Sequence, residues 1–231
     1  MKDVIVALDF RNRKEAMDFL GKFKEGIYVK VGMELYYSEG PEIVKEIKEM
    51  GHKVFLDLKI HDIPNTAKGA MRSILRLDAD MVNLHASGGS VMMKAAMEAC
   101  AEEGKNPLVI AVTQLTSTTE ALMQEELLIG STLQDTVKAY AENAKKSGLS
   151  GVVCSALEVP LIKEHLGHDF ITVTPGIRPL DTENSDQKRV VTPETARELG
   201  SDYIVVGRPI TGAKDPEAAY KAIKKAFLGG I

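Results

Sequence analysis

The sequence predicts an α/β fold in which eight strands alternate with helices. Short runs rich in Val, Ile and Leu recur eight times, and every interval between them carries apolar residues at helical spacing. The chain of 231 residues contains no Pro/Gly/Ser-rich linker. Eight β units followed by helices in a chain of this length predict one (β/α)8 TIM barrel over residues 1–231. A doubly wound open sheet is the alternative.

Each predicted strand is a short apolar run bounded by polar or turn-forming residues. In chain order, the strands are 4–9 (VIVALD), 28–32 (YVKVG), 53–59 (KVFLDLK), 81–85 (MVNLH), 108–114 (LVIAVTQ), 151–155 (GVVCS), 170–176 (FITVTPG) and 203–208 (YIVVGR). The clearest helical patterns cover 13–24, 40–50, 66–77, 90–103, 133–147 and 216–227. Gly51, Gly148 and Gly200 stand where helices lead into strands, which favours left-handed helix C-caps.

Two connections are longer than the others. Residues 115–131 follow strand five, and residues 177–191 follow strand seven. Long loops in a compact domain are often binding loops or lids. Both of these loops leave the carboxyl ends of strands, where the active sites of barrel enzymes lie.

Composition excludes several classes of protein. Hydrophobic residues make up 44% of the chain and charged residues 27%, as in an ordinary soluble domain. The formal charge of -4 comes from intermixed acidic and basic residues, so neither a nucleic-acid partner nor a membrane partner is predicted. Cys100 and Cys154 have no disulfide or metal-ligand spacing. With a first apolar run too short for a signal peptide, we expect a cytoplasmic protein with reduced thiols.

Charged residues interrupt the apolar run of strand three. Because side chains alternate between the two faces of a strand, Asp57 and Lys59 share the face that points into the barrel. The same alternation places Asp9 at the end of strand one and Lys30 on the inner face of strand two. With Asp62 in the next loop, these residues predict an array of alternating charges at the catalytic end. A purely structural ion-pair network is the alternative.

A second group of residues suits phosphate. The segment TVTPGIR ends strand seven and VVGRPIT ends strand eight, so Arg178 and Arg208 come to one corner of the barrel mouth beside backbone N–H groups. The loops after strands seven and eight form a recurring phosphate site in this fold, and Arg binds phosphate in a bidentate manner. Gly207 alone is equally consistent with a simple tight turn.

The histidines are weaker candidates. His85 ends strand four on the same inner face as Asn83, and we interpret it as a hydrogen-bonded packing residue rather than a ligand. His61 is expected to form hydrogen bonds within its loop, and His52 is expected to face solvent near a helix end. No metal-ligand spacing, P-loop or Rossmann glycine motif occurs in the sequence.

With those residues identified, the sequence resembles the orotidine 5'-monophosphate decarboxylase family in its shorter, bacterial form. FLDLKIHDIPNT is similar to the family's Asp-x-Lys-x-x-Asp segment, and ALD, VKVGMEL, VTQLTS, TPGIR, DQKRV and IVVGR match its other blocks in order. The resemblance covers essentially the whole chain. It implies a homodimer that converts orotidine 5'-phosphate to uridine 5'-phosphate and carbon dioxide, without a metal or cofactor, in the last step of UMP synthesis.

The resemblance also implies a role for each matching residue. Lys59 would donate a proton to the carbon that loses carbon dioxide, within a charge network formed with Asp57 and Lys30. Asp62, Ile63 and Thr66 would reach the active site of the other subunit. The substrate-binding residues would be Asp9 and Lys30 for the ribose, Thr116 for the pyrimidine, Gly207 and Arg208 for the phosphate, Gln187 bridging base and phosphate, and Pro175 and Arg178 shaping the loop that carries Gln187.

Two alternatives remain open at this point. A sister sugar-phosphate lyase, either a keto-gulonate-phosphate decarboxylase or a hexulose-phosphate synthase, would share the Asp-x-Lys-x-x-Asp segment and typically use magnesium. The segment VTQLTS and the loop carrying Gln187 favour a pyrimidine substrate instead. A non-catalytic nucleotide-phosphate binder would need the phosphate corner but not the charge array, so Asp57 and Lys59 argue against it.

Overall fold

The computed structural model describes residues 2–179 and 191–230, which form a closed barrel of eight parallel strands surrounded by helices. Each strand pairs with the next, and β8 pairs with β1 to close the sheet. The strands are β1 Asp3–Ala7, β2 Tyr28–Gly32, β3 Lys53–Ile60, β4 Met81–His85, β5 Leu108–Val112, β6 Gly151–Val153, β7 Ile171–Thr174 and β8 Tyr203–Val206. The predicted barrel is confirmed, and the open sheet is wrong.

All eight predicted strands are present, but most of them end earlier than predicted. The prediction extended strand eight to Arg208, whereas β8 ends at Val206 and Arg208 begins a short helix. Pro209 follows at once, and a proline cannot donate a ladder hydrogen bond. Strand β8 therefore ends early, at the carboxyl end of the barrel, where the loops form a cavity.

Besides two short 3₁₀ helices, eleven α-helices occur in the described residues. They are α1 Arg13–Leu20, α2 Met33–Glu39, α3 Glu42–Glu49, α4 Pro64–Leu75, α5 Gly89–Glu102, α6 Glu120–Glu125, α7 Leu133–Lys146, α8 Val159–Leu166, α9 Pro193–Glu198, α10 Arg208–Thr211 and α11 Pro216–Leu228. Within the described chain, none of them has the length and apolar character needed to cross a bilayer. The six clearest helical patterns of the sequence correspond to α1, α3, α4, α5, α7 and α11.

Three helices were not predicted from the sequence: α2, α6 and α10, which begins at Arg208 where strand eight was expected to continue. Helix α2 begins after Gly32, which has no side chain to cap it, so the usual start signal is missing. Helix α6 lies inside the connection 115–131, where the Thr119 side chain accepts a hydrogen bond from the Leu122 N–H. This long connection is therefore partly helical.

The barrel separates two apolar layers. Val54 and Leu56 of β3 belong to the large core between sheet and helices, whereas Phe55 packs inside the barrel with residues such as Tyr28 and Tyr203. The predicted alternation along β3 is confirmed. Since apolar side chains fill the lower barrel, the charged residues of the inner face are confined to its carboxyl end.

Three glycines end their helices as predicted. Gly51, Gly148 and Gly200 have φ values of 86°, 87° and 93°, a region that residues with a Cβ rarely adopt. Each donates its N–H to a carbonyl of the preceding helix, and the next residue donates to a carbonyl one position earlier. These bonds define the Schellman motif and satisfy carbonyls at the helix end.

The prediction for His52 is wrong. Its side chain is buried, with 4% of the residue exposed, and its Nδ1 accepts a hydrogen bond of 3.0 Å from the Ile27 N–H. The ring therefore joins the start of β3 to the segment before β2. Burial lowers the pKa of His52, so folding favours the neutral ring.

This burial gives an expected pH dependence of stability. Because the pKa of His52 is lower in the folded than in the unfolded state, the unfolded chain takes up the proton first. The free energy of unfolding should therefore fall as the pH drops below about 6.5. His52→Asn keeps an acceptor for Ile27 without the titration, so urea unfolding between pH 7 and pH 5 should show a shallower slope for this variant. Equal slopes would contradict the assignment.

Candidate active site

A cavity of about 630 Å³ opens at the carboxyl ends of the strands. Its volume lies within the range of small-molecule sites. Its wall is apolar at Ala7, Phe55, Val112, Val153 and Val205. Charged side chains at its mouth therefore act beside a surface that excludes water, where electrostatic interactions are stronger than in solution.

The predicted charge array is present in this cavity. The Lys30 Nζ lies 3.1 Å from Asp9 Oδ1 and 3.4 Å from Asp57 Oδ2. The Lys59 Nζ lies 2.7 Å from Asp57 Oδ1. The side chains of Lys30 and Asp57 are only 12% and 11% exposed, whereas that of Asp9 is 63% exposed at the mouth. Asp9, Lys30, Asp57 and Lys59 thus form a continuous row of alternating charges.

Lys30 stays charged because of its two carboxylate neighbours. Burial acts to lower its pKa, but Asp57 and Asp9 outweigh burial, and the pKa lies above the ordinary lysine value. Gly32 leaves the room that the ammonium needs, since a Cβ at this position would stand 2.9 Å from the Lys30 Nζ. A cationic group is therefore held at the centre of the array.

Lys59 has an unusual backbone conformation. Its φ is 53°, a left-handed value that is uncommon outside glycine. The β3–β4 ladder shifts register here, between the pairs Leu56↔Val82 and Ile60↔Leu84. The Lys59 N–H donates to Asn83 Oδ1 at 2.8 Å. The bulge keeps the Lys59 ammonium in the cavity although the strand is no longer regular.

Asn83 bonds the charge array, and sequence analysis did not include it among the site residues. It lies on β4 with 1% of its surface exposed, and its Nδ2 donates to Asp57 Oδ1 at 2.6 Å. The available signal was its position on the inner face of strand four, one strand away from Asp57. An asparagine carries no charge, and nothing local distinguishes it from a packing residue.

The predicted phosphate corner lies next to the Asp9 end of the charge array, since a Cβ on Gly207 would stand 3.9 Å from Asp9 Oδ2. Gly176, Arg178, Gly207 and Arg208 all line the cavity. The Arg178 N–H donates to the Val191 carbonyl at 2.9 Å, and the Val191 N–H donates to the Gly176 carbonyl at 3.2 Å. These two bonds hold together the ends of the long connection after β7. Two arginines thus line the cavity beside these loops, and arginine suits the binding of a phosphate.

The remaining predicted site residues fall into three groups. Thr116 and Pro175 line the cavity. Asp62, Ile63 and Thr66 are exposed and do not line it, and Ile63 is 68% exposed. Gln187 lies outside the described residues.

His85 is half-buried and does not line the cavity. Its ring centroid lies 5.5 Å from that of His61. Burial lowers the pKa of His85, and the nearby His61 and Lys59 act in the same direction. The imidazole is therefore neutral at physiological pH.

Fold and site together define the class of protein. It is a (β/α)8 barrel with a charged cavity at the carboxyl ends of its strands, where the active sites of barrel enzymes lie. The chain belongs to the family described as "Orotidine 5'-phosphate decarboxylase / HUMPS family", whose model matches residues 2–223. The resemblance inferred from the sequence blocks is confirmed.

Individual relatives agree with this assignment. Orotidine 5'-phosphate decarboxylases from Bacillus cereus (strain B4264) and Bacillus cytotoxicus are each 58% identical over 233 residues, covering 99% of this chain and 98% of the relative. The crystal structure of orotidine 5'-phosphate decarboxylase from Lactobacillus acidophilus is similar with 42% identity and a TM-score of 0.89, covering 98% and 99% of the two chains. An uncharacterized conserved protein from Geobacillus kaustophilus has 51% identity and a TM-score of 0.87, covering 97% and 99%.

Proposed function

We propose that this protein is a carboxy-lyase that converts orotidine 5'-phosphate to uridine 5'-phosphate and carbon dioxide in pyrimidine biosynthesis. The observation that carries the proposal is the row of alternating charges from Asp9 to Lys59, in a chain of the decarboxylase family. A site that only bound a nucleotide would not need two partly buried lysines and a buried carboxylate beside an apolar wall.

The chemistry requires a cation at the reacting carbon. Loss of carbon dioxide leaves a carbanion without a conjugated electron sink, so the negative charge must be stabilised where it forms and then protonated. The Lys59 ammonium can do both, since it is an acid and a point charge held 2.7 Å from Asp57. In this proposal, the proton moves from the Lys59 Nζ to the carbon that has lost carbon dioxide.

Repulsion between Asp57 and the substrate carboxylate is a smaller contribution. Two unit charges about 4 Å apart interact by about 4 kcal/mol at an effective dielectric constant near 20. Enzymatic accelerations require a barrier reduction of about 8 to 23 kcal/mol. Most of the reduction must therefore come from the preorganised ammonium groups and from binding energy at the phosphate.

We propose one orientation of the substrate in the cavity. We assign the phosphate to Arg208 and Gly207, with Arg178 and Pro175 shaping the adjoining loop; all four residues line the cavity. The ribose hydroxyls are placed at Asp9 and Lys30, and the pyrimidine at Thr116. Gln187, outside the described residues, is assigned to bridge the base and the phosphate. The carboxylate group that is lost then faces Asp57 and Lys59.

The proposal includes a homodimer with shared sites. Asp62, Ile63 and Thr66 are exposed just after β3 and do not line the cavity of their own barrel. An isoleucine that is 68% exposed suits a subunit contact. We assign these three residues to the active site of the partner subunit. The proposal also places the enzyme in the cytoplasm, where the thiols of Cys100 and Cys154 stay reduced.

An ultraviolet assay of orotidine 5'-phosphate loss, with and without EDTA, tests the function. We expect turnover at the same rate in both conditions, because the proposed steps use only protein side chains. A sugar-phosphate lyase of the same family would instead act on a keto-sugar phosphate and lose activity in EDTA. No consumption of orotidine 5'-phosphate by the folded dimer would contradict the proposal.

Replacement of Arg208 by alanine tests the phosphate site. A charge-assisted hydrogen bond contributes about 1.5–3 kcal/mol, so the affinity for uridine 5'-phosphate should fall by about 10- to 150-fold. The affinity for uridine, which lacks the phosphate, should stay unchanged in the same calorimetric titrations. Arg13→Ala is the control, since Arg13 pairs with Glu46 away from the cavity. Unchanged nucleotide affinity in Arg208→Ala would rule out the assigned phosphate site.

A further inference from the structure

Asn83 joins two residues of the charge array through one amide. Its Oδ1 accepts the Lys59 N–H at 2.8 Å, and its Nδ2 donates to Asp57 Oδ1 at 2.6 Å. The same Asp57 oxygen receives the Lys59 ammonium at 2.7 Å. Asn83, Lys59 and Asp57 therefore close a ring of hydrogen bonds at the reacting end of the cavity.

The chemistry of the partners determines the amide orientation. A backbone N–H only donates and an ionised carboxylate only accepts, so the oxygen must face Lys59 and the nitrogen must face Asp57. Both polar ends of a side chain that is 1% exposed are thus used by residues of the array. An ionised aspartate has the same shape but lacks the donor, so the neutral amide is what suits both partners.

Asn83 also replaces the missing sheet contacts of Lys59. The β3–β4 ladder gives no pairs between Leu56↔Val82 and Ile60↔Leu84. Lys59 stands in this gap with a φ of 53°, a conformation that persists only where neighbouring groups enforce it. The hydrogen bond from its N–H to Asn83 is the contact that supplies this restraint from β4.

We propose that Asn83 is a positioning residue for the decarboxylation, which holds the Lys59 backbone in its left-handed conformation and orients the Asp57 carboxylate toward the Lys59 ammonium. This inference rests on the proposed function. Asn83 does not line the cavity and acts through its two neighbours. Its loss should therefore affect the chemical step more than substrate binding.

Replacement by alanine removes both hydrogen bonds. Misplacement of catalytic groups by about 1 Å costs about 100-fold in rate, so kcat of Asn83→Ala should fall by about 100-fold. KM and the affinity for uridine 5'-phosphate should stay within about threefold, because phosphate and ribose contacts are untouched. Thr172→Val is the control, since Thr172 is also fully buried and its hydroxyl bonds Asp202 away from the cavity.

Replacement by aspartate gives a second, sharper test. The new carboxylate keeps the acceptor for Lys59 but sets a negative charge against Asp57. Two carboxylates this close share a proton at raised pKa, and the protonated form can again donate to Asp57. Relative to wild type, kcat of Asn83→Asp should therefore be about 100-fold low at pH 8 and recover about tenfold as the pH falls to 6.

The other charged groups around this pair are common to both enzymes. They are Lys59 on β3, Lys30 on β2, Asp9 after β1 and His85 on β4. Their titrations enter the wild-type profile as well, so the ratio of variant to wild type isolates the new carboxylate. A merely structural role for Asn83 would lower the melting temperature without this recovery at acidic pH.

Steady-state kinetics of wild type, both Asn83 variants and Thr172→Val from pH 6 to pH 8 complete the test. Absence of wild-type turnover would refute the proposed function. If the wild type turns over, two results would refute the role of Asn83. One is a kcat of Asn83→Asp within threefold of the wild-type kcat at pH 8. The other is a ratio of variant kcat to wild-type kcat that stays constant from pH 6 to pH 8. Because aspartate has the shape of asparagine, this variant decides the question even if the alanine variant does not fold.

Discussion

Lys59→Ala is expected to lower kcat for orotidine 5'-phosphate by at least about four orders of magnitude. A general acid contributes about 10²–10⁴ in rate, and a preorganised charge at the developing anion contributes about 10²–10³. Lys59 supplies both in the proposed mechanism. Single-turnover measurements should show that the chemical step is the step that slows. The variant should still bind uridine 5'-phosphate.

The variant should remain folded. Asp57 keeps the Lys30 ammonium at 3.4 Å and the Asn83 amide at 2.6 Å, so its charge is not left unpaired. Lys48→Ala is a matched control. The Lys48 side chain is 23% exposed and its Nζ lies 2.7 Å from Asp80. The Lys59 side chain is similarly 24% exposed, and its Nζ lies 2.7 Å from Asp57. Retention of most of the activity in Lys59→Ala would refute the proposed proton donor.

A mixture of two inactive variants is expected to recover about one quarter of the wild-type activity. If Asp62 serves the partner's site, a heterodimer of Lys59→Ala and Asp62→Ala has one site with both defects and one intact site. Random assembly of equal amounts makes half of the dimers heterodimers, and half of their sites are intact. Each variant alone should be reduced by at least about 100-fold. The recovery is measured as the decarboxylase activity after the two variants are unfolded and refolded together.

Lys59→Ala mixed with Asp57→Ala is the control for this experiment. Both residues belong to the same barrel, where they are 2.7 Å apart, so every site of that heterodimer carries one defect. We expect no recovery from this pair. Native mass spectrometry confirms that heterodimers form in both mixtures. Heterodimers of Lys59→Ala and Asp62→Ala without activity would show that Asp62 does not act across subunits.

Sequence analysis succeeded where the physics is local. The alternation of side chains along β3 was enough to separate Asp57 and Lys59 from the leucines beside them. The glycines at 51, 148 and 200 were recognised because their backbone conformation follows from the helix end itself.

Sequence analysis failed where the decisive contact is distant. His52 resembles an exposed residue beside a helix end, but its ring is buried against Ile27, 25 positions away. Helix α2 has no capping side chain at Gly32, so its start has no local signal.

The barrel, its family and the charged residues at its mouth therefore follow from the order of residues, because strand alternation and strand count are properties of the chain itself. The distances within the array, the bulge at Lys59 and the part played by Asn83 depend on closure of the barrel. Asn83 lies 24 positions from Lys59 and 26 from Asp57, and only the pairing of β3 with β4 brings its amide between them.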